Sequence, residues 1–81
     1  MYLHLGGQTM VKQRDIVAIL DLETTSVSKK TKEFLRINER NGVVENISED
    51  IPKSYVICNE NGRTKIYISQ ISSATLLKRV E

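Results

Sequence analysis

Three kinds of side chain in this 81-residue sequence have the chemistry to act on another molecule: the lone His4, the lone Cys58, and the cations of the polar stretch Lys12-Gln13-Arg14-Asp15. His4 has no partner His, Cys or close carboxylate along the chain, whereas a metal site generally needs three or four suitable ligands. It reads as a surface or interface residue, and no metal is called for. Cys58 closes the apolar run Tyr55-Val56-Ile57-Cys58, which favours packing over reactivity. A single cysteine also leaves no disulfide framework, CxxC redox pair or thiolate cluster. No serine, histidine and acid stand in an arrangement suited to nucleophilic catalysis. The expectation is a non-enzymatic protein with no catalytic residue and no cofactor.

Lys12 and Arg14 invite a different chemistry. A turn between strands is a rigid mount from which a guanidinium can grip a phosphate in bidentate fashion. With equal weight, Arg14 could pair with Asp15 or with a carboxylate of a neighbouring subunit. Net charge is only +2, below the strongly basic balance that would by itself announce nucleic-acid binding, so the placement of cations has to carry the argument. The segment 26–41 holds Lys29, Lys30, Lys32, Arg36 and Arg40 against Glu33 and Glu39, and Glu45, Glu49 and Asp50 follow it. That pattern fits a solvated helix face beside an acidic loop, or a DNA-contacting surface. Gly6-Gly7 leads into another strand and lacks the Lys and Ser or Thr of a phosphate-cradling P-loop. Tyr2, Tyr55 and Tyr67 form no stacking motif for RNA.

The elements that must position these residues follow from hydrophobic pattern and turn chemistry. Tyr2 to Leu5 alternates and Gly6-Gly7 permits a tight turn, which predicts a hairpin returning through Thr9-Met10-Val11. Ile16 to Leu22 is apolar without alternation and wants cover on both faces; with the hairpin it should form a three-strand meander. Ser26 or Ser28 can cap a helix reaching about Asn41, with Gly42 beyond its end. Its apolar stripe is Val27, Phe34 and Leu35, completed by Thr31 and Asn38, and Ile37 lies off that stripe as a candidate subunit contact. A short strand around Val43-Val44, an acidic Ser48-Glu49-Asp50 loop, and two strands about Asn61-Gly62 come next, with Glu60 facing Arg63. Ser72 to Thr75 caps a last helix, Ala74 to Val80. The fold class is α+β: one domain over 1–81, a small mainly antiparallel sheet of about six strands, one central helix and one short C-terminal helix, with no alternating βαβ units.

The spaced patterns Met1-Tyr2-Leu3-His4-Leu5-Gly6, Arg14-Asp15-Ile16-Val17, Pro52-Lys53-Ser54, Tyr67-Ile68-Ser69, Ile71-Ser72-Ser73-Ala74-Thr75-Leu76 and Lys78-Arg79 span essentially the whole chain. On them the sequence resembles the RemA/RemB family of bacterial extracellular matrix regulators. The resemblance implies an α+β protomer, a ring-like homo-oligomer and a part in transcriptional activation of biofilm-matrix genes. It also implies a DNA-binding arginine in the turn before the apolar strand, which Arg14 matches, and a basic pair before the later hairpin. That second position falls near Asp50-Ile51, where the pair is missing and only Lys53 lies nearby.

A chain this short buries only about 60 % of its unfolded surface, so assembly of several copies is the expected remedy for the apolar strand. The resulting expectation is a cytoplasmic homo-oligomer that touches double-stranded DNA through Arg14, Lys53 and Lys12, mainly at the backbone, since nothing resembles a base-reading helix. The competing expectation is an oligomeric scaffold that binds a protein partner and no DNA. The longest apolar run is far short of the about 20 residues needed to cross a bilayer, so no membrane is expected as a partner.

Overall fold

Leu3 and Leu5 alternate with Tyr2 and His4, and this alternation sets the first hairpin. The computed structural model describes residues 1–22, 29–40, 43–47 and 51–80; within 29–40, the side chains of Lys29, Thr31, Lys32, Leu35 and Glu39 fall outside the description. β1 (Tyr2–Gly6) returns antiparallel as β2 (Thr9–Lys12), with Leu3 opposite Val11 and Tyr2 opposite Lys12. Gly6 and Gly7 make the turn at φ 117° and 54°, a region open to glycine because it has no Cβ to clash. Leu3, Leu5 and Val11 are buried, while Tyr2, His4, Met10 and Lys12 face outward. Gly7 also receives a hydrogen bond on its carbonyl from His4 Nε2 at 2.8 Å, so the histidine serves its own turn.

The polar stretch after β2 is a short 3-10 turn, Gln13–Asp15, held by the Gln13 amide donating to the Met1 carbonyl at 2.9 Å. It aims the chain into β3 (Ile16–Asp21). Here the expected meander fails: β1 and β2 form a sheet of their own, and β3 is an edge strand of a second sheet ordered β3-β5-β6-β4. The reason is packing, because Ile16 and Ile19 lie beside Cys58 and Val56 instead of along the hairpin. The six strands are therefore split between two sheets and do not make one. Val17 sits at the register shift between Ile16 and Ala18 and is 67 % exposed.

β5 (Ser54–Glu60) and β6 (Arg63–Ser69) flank Asn61-Gly62 at φ 55° and 81°, the two left-handed centres that match strand twist. Glu60 stands opposite Arg63, in the register the turn predicts. β4 (Val44–Asn46) runs parallel to β6, and β3 runs antiparallel to β5. Thus β3 and β4 point the same way at opposite edges of the sheet. α1 (Lys29–Arg40) is the crossover between them, so a β-α-β connection exists where the sequence pattern offered none. The expected caps Ser26, Ser28 and Gly42, the stripe residue Val27 and the Ser48-Glu49-Asp50 loop lie outside the described residues, as do the Thr31 and Leu35 side chains. Phe34 and Ile37 on α1 are 40 % and 48 % exposed.

One face of the four-stranded sheet carries Ile16, Ile19, Val56, Cys58 and Tyr67, and it packs with Leu3, Leu5 and Val11 of the hairpin and Leu76 of α2 (Ser73–Arg79). α2 begins at Ser72, whose Oγ accepts from the Thr75 amide at 3.2 Å. It docks on the core of its own protomer through Leu76 and Val80 and leaves Leu77 59 % exposed. Two fully buried serines pair across β5 and β6 and stitch the layers: Ser69 Oγ donates to the Leu5 carbonyl at 2.7 Å and accepts from the Ile71 amide at 3.0 Å, while Ser54 Oγ donates to the Ile71 carbonyl at 2.8 Å. On the opposite face Ile66 is buried, but Ala18, Leu20, Val44, Tyr55, Ile57 and Ile68 remain half-buried.

Two stability predictions follow from this packing. Leu76→Ala should cost about 2–5 kcal/mol through lost burial and a cavity, and Leu77→Ala less than about 0.5 kcal/mol, as read by urea unfolding. Ser69→Ala should cost about 1–3 kcal/mol, because it strips both the Leu5 carbonyl and the Ile71 amide of a buried partner.

Candidate nucleic-acid interface

The residues that sequence alone marks as cationic contacts fall at two ends of the molecule. Lys12 ends β2 opposite Tyr2, and Arg14 sits in the 3-10 turn; both are exposed. Among the described residues neither forms an ion pair, so Arg14 does not pair with Asp15. Arg14 and Lys12 share a cleft of about 280 Å³ with Tyr2 and the half-buried Asp15, closed on the far side by Glu60 and Asn61 at the β5–β6 turn. Both cations are also reached from a neighbouring hollow of about 300 Å³ beside Met1 and Tyr2.

Lys53 is not brought to this cleft. Its amide donates to the Ser69 carbonyl at 2.9 Å and its carbonyl accepts from the Leu22 amide at 3.0 Å. These bonds place it at the opposite end of β5 from Glu60. At about 3.3 Å per residue the strand keeps Lys53 roughly 20 Å from the Lys12 and Arg14 end. The lysine is exposed and fixed at its backbone, so Lys12, Arg14 and Lys53 form two separated cationic points instead of one patch.

The α1 cations give less than their number suggests. Arg36 is tied to Glu33 at 2.6 Å on the helix surface, which leaves Lys30 and Arg40 as exposed cations there among the described side chains. No three His, Cys, Asp or Glu among the described residues gather as a metal-holding group. No helix among them is long and apolar enough to cross a membrane.

Tyr67 also lines the cleft, and Cys58 lies on the same face of the sheet. Burial, followed by the nearby Glu60 and Asp15 charges, pushes the Cys58 thiol up to about 11. A thiol that is fully buried and protonated at neutral pH is no nucleophile. Tyr67 is 5 % exposed, and its hydroxyl donates to Glu60 at 2.6 Å. Burial, with that hydrogen bond second, holds the phenol well above its ordinary range. The Glu60 carboxylate is therefore drawn under Tyr67, although spacing had matched it with Arg63. Neither this link nor the meeting of the β5–β6 tip with the Lys12–Arg14 turn is written in local sequence; the only signal is that Asn61-Gly62 projects a hairpin end. The cleft offers two unpaired cations on a fixed mount beside an outward tyrosine, a set suited to gripping an anionic oxygen and lacking an activated nucleophile.

Comparison with known proteins identifies the family. The model of a family described as "RemA-like: Extracellular matrix regulatory protein A-like" matches residues 2–80. The chain is 40 % identical over 81 residues to "Extracellular matrix regulatory protein B" of Bacillus subtilis (strain 168), covering all of this chain and 91 % of that protein.

The buried thiol yields a pH prediction. The folded protein holds the Cys58 proton up to about pH 11, whereas the ordinary value is 9.0. The unfolded chain releases the proton first, so this contribution is complete below pH 9 and disappears as pH rises towards 11. It amounts to about 2–3 kcal/mol. Urea unfolding from pH 8 to pH 11 should show the midpoint falling, and falling less in Cys58→Ala.

Proposed function

Because the chain belongs to the RemA-like family of extracellular matrix regulatory proteins, we propose that it is a cytoplasmic, non-enzymatic regulator of biofilm-matrix genes that binds the backbone of double-stranded DNA as a ring-like homo-oligomer. The observation that carries the DNA part is the pair of exposed, unpaired cations Lys12 and Arg14 on a turn pinned to the core hairpin. A cation held on a rigid mount loses little freedom when it meets a phosphate, and release of counterions supplies the affinity. Lys53 contributes a second point of contact farther along the same duplex, since the roughly 20 Å between the two ends corresponds to about six base pairs at 3.4 Å each.

The assembly part rests on the half-buried apolar face and on exposed Val17 and Ile37. β3 and the outer face of the sheet supply the contact; Leu77 is the residue of the terminal helix left to join it. Closed symmetry then repeats each cation around the assembly, and linked weak contacts gain from effective concentration. Any sequence preference comes from the shape and bending of the DNA, because the proposed contacts are to its backbone.

The scaffold reading keeps one observation in its favour: Asp15 and Glu60 share the cleft with the cations. Fluorescence anisotropy of a labelled AT-rich duplex separates the two. Binding should be strong at about 50 mM salt and fall steeply by about 200 mM. Arg14→Ala should weaken binding to all duplexes alike, with the oligomer intact. An intact oligomer that does not bind at the lower salt would turn the reading to a protein partner.

A further inference from the structure

A groove of about 580 Å³ lies on the flank of the β5–β6 tip and is lined by Arg63, Thr64 and Lys65 with Val43. It shares Glu60 and Asn61 with the cleft that holds Lys12 and Arg14. The two hollows are thus opposite flanks of one hairpin end. From this we infer that Arg63 is a third backbone-phosphate contact, and that the DNA-facing surface runs from Lys12 and Arg14 around the hairpin tip to Arg63. This inference rests on the duplex-binding reading above.

Three features argue for it. Arg63 is exposed and, among the described residues, forms no ion pair, although its cross-strand partner is a carboxylate. That carboxylate is engaged below by the Tyr67 hydroxyl at 2.6 Å, which frees the guanidinium for an outside acceptor. Lys65 next along the same face is different: it lies 3.6 Å from Glu45 and 5.2 Å from the centre of the Tyr67 ring, so it walls the groove and leaves the contact to Arg63.

Depth sorts the charges around the tip. Lys12, Arg14 and Arg63 are exposed, while Asp15 and Glu60 are half-buried. A phosphate strand approaching the hairpin end meets guanidinium and ammonium groups first, and the carboxylates stand behind them. The mount is stiff on both sides: the Asn61-Gly62 turn fixes Arg63 in register, and the Gln13–Met1 bond fixes the turn that carries Arg14. Glu60 then acts as a restraint on affinity, because its charge remains close to the anion.

The test compares Arg63→Gln, Glu60→Gln and the surface control Lys78→Gln in duplex titrations over a salt series, with oligomeric state checked for each. Arg63→Gln should reduce the slope of log affinity against log salt by about 0.9 for every protomer engaged, Glu60→Gln should tighten binding, and Lys78→Gln should leave the slope unchanged. If the unaltered protein binds duplex and Arg63→Gln keeps its slope, or loses no more than Lys78→Gln does, Arg63 is not a contact and the inference fails alone. If the unaltered protein does not bind duplex, the inference and the reading beneath it fail together.

Discussion

The four-stranded sheet has two apolar faces, and among the described residues one of them forms the core. The β1–β2 hairpin and α2 close the face that holds Val56, Cys58 and Tyr67, and the buried serines 54 and 69 lock that closure by satisfying the polar groups it traps. On the other side Ile66 is fully buried. α1 lies in chain order between the two edge strands, and Ala18, Leu20, Tyr55, Ile57 and Ile68 are half-buried while Phe34 and Ile37 are exposed. Small domains face this limit generally, since their surface is large relative to the core it encloses. Packing of a second copy on this half-buried face is the assembly proposed above.

That constraint also explains where the charges stand. A hairpin committed to covering one face must turn its other side to solvent, and Tyr2, His4, Met10 and Lys12 occupy that side. The 3-10 turn that leads from hairpin to sheet has to cross between two layers, so its polar residues emerge at the rim. Arg14 is presented there by a backbone that cannot relax without pulling β3 away from β5. The cationic rim is therefore a by-product of layer packing, and its rigidity is the quality on which the proposed repetition of weak contacts relies.

Much of this could be read from residue pattern because the relevant signals are local. Gly6-Gly7, Asn61-Gly62 and the Ser72 cap each name their own conformation, and the structure places the turns and the second helix accordingly. Strand partners are a different matter. Nothing in Ile16 to Asp21 says whether the strand continues a meander or crosses to another sheet, since both would bury Ile16 and Ile19. The parallel pairing of β4 was hidden for the same reason: three residues carry no mark of direction. The site shows the same division. Lys12 and Arg14 were legible as neighbours in a turn, whereas the distance of Lys53 and the approach of the β5–β6 tip depend on how β5 is laid down between β3 and β6.

In the proposed assembly the half-buried sheet face is closed by further copies of the same chain. Sedimentation velocity of the purified protein across the micromolar range tests it most directly. A single species several times the 9.2 kDa of one chain, reduced to smaller species when Leu20 or Ile57 is replaced by Glu, is expected. A monomer of 9.2 kDa at every concentration, folded and soluble, would contradict it, because the apolar face would then be stable in water without a partner.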